Sequence, residues 1–147
     1  MTVDIRFPVA GDASAWRDLW DQYLGFYAVT LPPGATAQTW ARMMDPASRL
    51  VGRVAVLDGK LVGFALHHHH VATWTAGDDC YLEDLYLAPD ARGRGIGRAL
   101  LDDLITLARQ QGYARLYWHT DENNATARKL YDQFAKADGH VRYRMKL

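Results

Sequence analysis

The sequence predicts an α/β protein built on a mixed β-sheet. Two observations lead to this class. Apolar residues alternate on either side of an Asp58-Gly59 pair, which is typical of an antiparallel hairpin with a two-residue turn. Further along, a strand pattern, a glycine-rich loop, a helical periodicity and another strand pattern follow one another, which is typical of a crossover between parallel strands.

The first elements follow from local patterns. Alternation in "TVDIRFPV" predicts an opening strand. Asp12 or Ser14 offers an N-cap for a helix over residues 15–27, whose large apolar side chains form one stripe. The "LPPG" stretch at 31–34 ends this helix, and Thr36 is expected to cap a second, shorter one.

The remaining elements complete the order β-α-α-β-β-β-α-β-α-β. The hairpin covers "RLVGRVAVLDGKLVGFALHHHH", and a turn near "TAGDD" leads to the strand "CYLEDLYL". An amphipathic helix, "GRALLDDLITLARQQG", is expected to stop at Gly112. A strand "ARLYWHT", a helix "DENNATARKLYDQF" and a closing strand "HVRYRMKL" follow.

Bulk composition favours a single domain over residues 1–147. Of these residues, 49% are hydrophobic and 23% charged, as in ordinary globular proteins. Seventeen basic residues balance seventeen acidic ones, so no basic field recruits nucleic acid or an anionic membrane. No apolar run is long enough to span a bilayer, and no signal peptide begins the chain. The single cysteine, Cys80, suits a reducing, cytoplasmic setting.

The loop "RGRGIGR" at residues 92–98 predicts an anion site. Its glycines allow sharp turns and close backbone approach, and the amides that open a helix carry partial positive charge. The pattern lacks the GxxxxGK[ST] of a P-loop, and it differs from the GxGxxG of dinucleotide folds. A plain solvent-exposed turn is the less favoured interpretation, given three alternating glycines at a strand-to-helix junction.

The stretch "YLEDLYLAPDARGRGIGRALL", followed by "NNATARKLY", resembles the GNAT superfamily of N-acetyltransferases. Arg92, Gly95 and Gly97 match an R-x-x-G-x-G motif, and a later N-x-x-A-x-x-L-Y motif is matched by Asn124, Ala127, Leu130 and Tyr131. The element order is similar along nearly the whole chain. Residues 74–143 are especially similar to yeast histone/polyamine-type acetyltransferases, and "YLEDLY" to spermidine/spermine acetyltransferases. The resemblance implies a mostly antiparallel sheet with helices on both faces, splayed at a cofactor cleft.

The resemblance also implies acetyl-CoA as cofactor, with coenzyme A as product. Its pyrophosphate would lie on the loop amides, its pantetheine arm along the strand before the loop, and its thioester near the later motif. The cofactor-binding residues implied are Leu85, Tyr86, Leu87, Arg92, Gly93, Arg94, Gly95, Ile96, Gly97, Arg98, Asn124, Ala127 and Tyr131. The acceptor implied is a primary amine: a polyamine, an amino acid, another small amine or a protein lysine.

Two residues are candidates for proton transfer. An alkylamine has a pKa near 10.4, so only about one molecule in a thousand is neutral at pH 7.4, and a base helps. Glu83 aligns with a glutamate that serves as base in related enzymes, and strand alternation predicts that only one of Glu83 and Asp84 faces the cleft. The family's usual donor to the leaving thiolate aligns with Tyr131. A strand amide, that of Leu87, is expected to stabilise the oxyanion.

The run His67–His70 is expected at the end of a strand, with two histidines on each face. A turn near Ala76-Gly77 predicts His70 opposite Glu83 and His68 opposite Leu85, in a register that a one-residue slip would change. The residues expected to bind the acceptor are Tyr27, His68, His70 and Glu83. Histidines in opposed pairs do not converge on a tetrahedral metal site, so no metal is expected.

Three other functions remain open: a histidine-metal hydrolase, a non-catalytic acyl-CoA-binding module, and an RNA-binding domain that uses "RGRGIGR" as its basic patch. The zero net charge and single basic cluster disfavour RNA. A homodimer is expected from the resemblance and from the aromatic "RYRM" stretch near the C-terminus.

Overall fold

The computed structural model describes residues 2–147. Five strands form one sheet in the order β1-β2-β3-β4-β5. The strands are β1 (Val3–Arg6), β2 (Val51–Leu57), β3 (Lys60–His70), β4 (Asp79–Leu87) and β5 (Arg115–Trp118). Pairs from β1 to β4 are antiparallel, whereas β4 and β5 are parallel. The mixed, mostly antiparallel sheet is therefore confirmed.

Four helices cover the sheet: α1 (Ala13–Phe26), α2 (Ala35–Met44), α3 (Ile96–Gln110) and α4 (Ala125–Tyr131). Neighbouring residues of β3 show that α1 and α3 lie on opposite faces. The Phe64 ring contacts the Trp16 and Trp20 rings of α1 at centroid distances of 6.0 and 5.9 Å. A side chain at Gly63 would instead meet Leu100 of α3.

The turn between β2 and β3 has the predicted conformation. Asp58 and Gly59 both have positive φ, at 51° and 76°, which is the geometry of a type I′ hairpin. The helical stripes are also buried as expected. In α3 the buried positions recur at helical spacing, at Ile96, Gly97, Leu100, Leu101, Leu104 and Ala108.

Two predicted helix caps differ in the structure. Helix α2 begins after Gly34, whose φ is 84°, and the Thr36 hydroxyl instead accepts a hydrogen bond from Trp20 Nε1 at 3.1 Å. Asp12 precedes α1 but does not cap it, because its carboxylate accepts bonds from Arg6 and from the Val9 amide. In both cases the side chain bonds to a partner other than the first turn of the predicted helix.

The predicted closing strand "HVRYRMKL" is wrong. No strand occurs between residues 132 and 147, and Val141, Tyr143, Met145 and Leu147 are exposed. A period-two pattern gives a strand only when a neighbouring strand accepts its backbone hydrogen bonds. Here the segment forms no strand with β5, which is only four residues long.

Candidate active site

A gap opens between β4 and β5. The two strands pair from Asp79 to Leu82 and no further, so the second half of β4 has no partner on that side. The Ala88 amide donates to the Val62 carbonyl of β3 at 2.8 Å. Because backbone groups alternate along a strand, the amides of Leu85 and Leu87 point away from β3 and into the gap.

The glycine loop lies at the end of this gap. Gly93 and Gly95 have φ of 75° and 77°, and a Cβ on either one would point into open space. Gly95 immediately precedes α3, so the amides of residues 96–98 form a first helical turn without intrahelical acceptors. This open cradle of amides at a 15-residue helix fits a phosphate-sized anion.

Two arginine side chains of the loop, those of Arg92 and Arg98, bond to other parts of the protein. The Arg92 guanidinium donates to the Leu87 carbonyl at 3.1 and 3.2 Å and lies over the Tyr86 and Phe26 rings. Arg98 donates to Gln133 and lies over the Phe134 ring. The Arg92 and Arg98 side chains thus have partners within the protein, while the amides of the first turn of α3 lack intrahelical acceptors.

Helix α4 closes one side of the gap. The Asn124 side chain accepts a bond from the Ala127 amide at 3.3 Å and caps the helix. Leu130 packs on α3 so closely that a Cβ at Gly97 would lie 3.1 Å from its Cδ2. Gly97 therefore sets the distance between the two helices.

Tyr131 is the last residue of α4 and lies half-buried beside Trp118, with ring centroids 5.4 Å apart. Burial raises the pKa of its phenol to about 12, and the nearby Tyr27 adds to the shift. Burial, followed by the charges of Asp121 and Asp84, likewise raises the pKa of Tyr27. The structure thus brings α1, β4 and α4 together around one cleft.

A β-bulge changes the expected arrangement of Glu83 and Asp84. Leu66 pairs with Asp84 and His67 with Leu82, which leaves Glu83 as the extra residue of β4. Glu83 is exposed and interacts with the Tyr81 hydroxyl. The two carboxylates also interact electrostatically, and both influence Tyr23. The bulge thus interrupts the simple alternation of side chains at Glu83, and the two carboxylates differ in exposure.

Sequence reasoning did not identify Asp84 as the more buried carboxyl of the Glu83-Asp84 pair. Its Oδ1 accepts a hydrogen bond from the Tyr23 hydroxyl of α1 at 2.7 Å. Burial raises the pKa of Asp84 to about 6, against the opposing effect of the Tyr23 hydrogen bond and together with the charge of Glu83. The acid pair "ED" was visible in the sequence, but nothing local indicated which carboxyl is buried.

The predicted register of the histidine run is wrong by more than one residue. His70 pairs with Asp79 and His68 with Tyr81, not with Glu83 and Leu85. The connection between β3 and β4 spans residues 71–78 and is longer than a tight turn at Ala76-Gly77 allows. The bulge at Glu83 adds a further shift.

The histidines nonetheless divide into two pairs by their contacts. His67 lies buried beside Cys80, and His69 stacks on Tyr113 at 4.8 Å. His68 meets the Tyr81 ring edge-on at 5.4 Å. His70 Nε2 lies 2.8 Å from the Tyr117 hydroxyl, and the Tyr81 hydroxyl lies 3.0 Å from Nδ1 of His119.

Within residues 2–147, the histidines, cysteine and acids form no cluster of three or more that could hold a metal ion. Over the same residues, no helix is long and apolar enough to cross a membrane.

Comparisons with known proteins give a consistent picture. The model of the acetyltransferase (GNAT) family matches residues 14–135. D-amino-acid N-acetyltransferase HPA3 of Saccharomyces cerevisiae is 35% identical over 135 residues, covering 90% of this chain and 84% of the yeast protein. Thialysine N-epsilon-acetyltransferase of Caenorhabditis elegans is 33% identical over 99 residues, covering 64% of this chain and 61% of the relative.

Solved structures share the fold along the whole chain. A ribosomal-protein-alanine N-acetyltransferase from Brucella melitensis superposes with a TM-score of 0.81 at 26% identity, covering 100% of both chains. The structure of AAC(6')-Iy with the bisubstrate analog CoA-S-monomethyl-acetylneamine superposes with a TM-score of 0.83 at 21% identity, again over 100% of both chains.

Proposed function

Because the chain belongs to the acetyltransferase (GNAT) family, we propose that it transfers the acetyl group of acetyl-CoA to a primary amine. Bound acetyl-CoA supplies a thioester whose carbonyl carbon the amine nitrogen attacks directly. The observation that carries this proposal is the gap that opens beyond Leu82, with free amides along one wall and the glycine loop at its end.

The residues of the gap fit a long anionic cofactor. The amides from Arg92 to Arg98 would hold the pyrophosphate. Those of residues 96–98 are best placed, because the first turn of α3 leaves them without intrahelical acceptors, whereas the Arg92 amide donates to the Pro89 carbonyl at 3.4 Å. The main chain of residues 85–87 would bind the pantetheine arm as an added strand does. Asn124, Ala127 and Tyr131 would lie near the thioester end.

Glu83 and Tyr131 would share the proton transfers. Glu83 is exposed, so it would pass a proton from the amine to solvent. Tyr131 would donate a hydrogen bond to the departing sulfur. With its pKa raised to about 12, full proton transfer to a thiolate of pKa near 8.5 is uphill by roughly 5 kcal/mol. The hydrogen bond itself is therefore the main contribution of Tyr131, while the Leu87 amide remains as donor to the developing oxyanion.

The acceptor would enter between α1 and the outer end of β4. Tyr27, His68, His70 and Glu83 line this approach in the proposal. Two relatives carry the names of an amino-acid and a thialysine acetyltransferase, which supports a small amine with an amino-acid backbone as the first class to test. A polyamine or a protein lysine remains within the proposed class.

We also propose a homodimer and a cytoplasmic location. The exposed apolar residues of the C-terminal segment 136–147 support the homodimer, because burying them in a contact between two copies is favourable. Cys80 is free and buried, which supports a reducing compartment.

Release of coenzyme A in the presence of a panel of amines tests the central proposal. The panel contains D- and L-amino acids, thialysine, lysine, polyamines, aminoglycosides and a lysine peptide, with the acetylated product confirmed by mass spectrometry. Turnover of at least one amine, with a mass increase of one acetyl group, is expected. Calorimetric binding of acetyl-CoA without turnover of any amine would favour the non-catalytic module.

A further inference from the structure

Tyr23 forms a fixed link between α1 and the carboxylate of Asp84. Its ring is held on several sides, with centroids 5.2 Å from Tyr27, 5.8 Å from Tyr86 and 5.9 Å from Phe64. The hydroxyl therefore has a position set by core packing, and it donates to Asp84 Oδ1 at 2.7 Å. Burial, followed by the charge of Asp84, raises the Tyr23 pKa strongly, so the phenol keeps its proton and remains a donor.

The surroundings of Asp84 differ from those of the other partly buried aspartates. Asp12, Asp79 and Asp103 each pair with an arginine at 2.7–2.8 Å, and Asp78 lies 2.7 Å from His69 Nδ1. Asp84 instead has a neutral phenol as its hydrogen-bond donor. Its cross-strand neighbour Leu66 is apolar, and the nearby ionisable groups are Tyr23 of α1, Tyr27 directly after α1 and Glu83 of β4.

Such an environment raises the basicity of the Asp84 carboxylate. An arginine partner would fix the charge and lower the basicity, whereas burial beside a like charge does the reverse. Burial and Glu83 raise the pKa of Asp84 to about 6, and the Tyr23 hydrogen bond keeps it from rising further. Asp84 is therefore mostly ionised at neutral pH and close to the range where a general base works well.

We propose that Tyr23 is a positioning residue, which holds Asp84 ionised and oriented so that Asp84 takes the proton from the ammonium form of the acceptor. This inference rests on the proposed acetyl transfer. One N–H bond of the ammonium breaks, its electron pair stays on nitrogen, and the proton binds to Oδ2, the oxygen that Tyr23 does not contact. Asp84 is thus the first acceptor of the proton, and Glu83 keeps the role of passing it on: the proton moves from Asp84 by way of exposed Glu83 to solvent, and Asp84 returns to the carboxylate.

The pH profile of kcat/KM distinguishes this role from a structural one. Tyr23→Phe keeps the ring and its packing but removes the hydrogen bond that favours the ionised carboxyl. The acidic limb of the profile should therefore move up by about one pH unit, with activity restored at higher pH. Asp84→Asn should remove this limb and lower kcat/KM across the range.

Tyr113→Phe is the matched control, because this half-buried tyrosine lies beside His69, away from Asp84. It should leave the limb in place. Glu83→Gln identifies the alternative: if the limb belongs to Glu83 alone, that variant loses it while Tyr23→Phe keeps the wild-type profile. That result, or an Asp84→Asn variant that tracks wild type at every pH, overturns the proposal.

A second measurement does not depend on turnover. Titration of the side-chain carboxyl carbons in protein labelled with ¹³C-aspartate should show one carboxyl with a raised pKa, absent in Asp84→Asn and shifted upward in Tyr23→Phe. An unshifted Asp84 in Tyr23→Phe contradicts the link even if no acceptor amine is found. Failure of the amine panel with the expected titration would refute only the proposed acetyl transfer.

Discussion

The two faces of the β3–β4 pair hold polar groups in opposite ways. On the face of α3, His67 is only 2% exposed, its Nδ1 lies 3.8 Å from Cys80 Sγ, and its Nε2 has no hydrogen-bond partner within residues 2–147. On the face of α1, Asp84 is bonded to Tyr23, next to exposed Glu83.

The pKa shifts show what this difference means. Burial, with a smaller effect from Arg53, lowers the pKa of His67 to about 4, so that histidine stays neutral. On the other face, burial raises the pKa of Asp84 to about 6, where a proton can still come and go near neutral pH. The buried histidine of the α3 face is thus held neutral, whereas the buried carboxyl of the α1 face can change its charge near neutral pH.

The largest effect on activity is expected at Tyr131 of α4, beside the cleft. Tyr131→Phe keeps the contact with Trp118 but removes the hydroxyl, so kcat should fall about 100-fold, because the departing sulfur loses a hydrogen bond that stabilises the transition state. The acetyl-CoA Kd should stay within a few fold, since the bond is made mainly in the transition state. Steady-state kinetics and calorimetry measure the two quantities. A wild-type kcat would remove Tyr131 from the mechanism.

On the face of α3, His67 should make the free energy of unfolding depend on pH. Its folded pKa of about 4 lies below the unfolded value of 6.5, so the unfolded chain binds the extra proton first as pH falls. Stability is fully present above pH 6.5 and should decline towards pH 4, by roughly 3 kcal/mol at most. Urea denaturation at several pH values measures this slope.

Substitution of two histidines tests whether the decline of stability with falling pH comes from the face of α3. His67→Leu should flatten the decline between pH 6.5 and 4, because the buried titrating group is gone. His68→Leu, on the opposite face, should leave most of the decline in place. Equal slopes in wild type and His67→Leu would mean that other groups control the acid sensitivity.

A smaller effect is expected at the glycine loop. The double variant Gly95→Val, Gly97→Val should raise the acetyl-CoA Kd at least about tenfold without unfolding the chain, because it strains a positive-φ residue and crowds Leu130. Gly59→Val is a matched control, since Gly59 has φ of 76° and open space but lies in the β2–β3 turn. Calorimetry should show an unchanged Kd for the control. Equal affinities in all three proteins would exclude the loop as anion site.

The smallest effect concerns the C-terminal segment, which belongs to neither face. Tyr143 is 94% exposed, so Tyr143→Ser with Met145→Ser should weaken self-association with little change in Tm. Sedimentation equilibrium at micromolar concentration measures this. A wild-type protein that sediments only as a 16.6 kDa species would refute the homodimer.

The sequence by itself determined the elements whose signals are local. The Asp58-Gly59 turn, the apolar stripes of α1 and α3 and the glycine junction before α3 each follow from a few adjacent residues and their backbone preferences. The R-x-x-G-x-G and N-x-x-A-x-x-L-Y motifs indicated the family in the same way, because their spacing is visible in the chain.

Tertiary structure decided the register, the closing segment and the identity of the buried acid. The bulge at Glu83 depends on how β3 and β4 pair, and no single strand encodes its partner. The "HVRYRMKL" segment has the alternation of a strand but pairs with no neighbouring strand. Asp84 and Glu83 are neighbours of the same chemical type, and only the hydroxyl of Tyr23, 61 residues earlier, and the packing of α1 make them different.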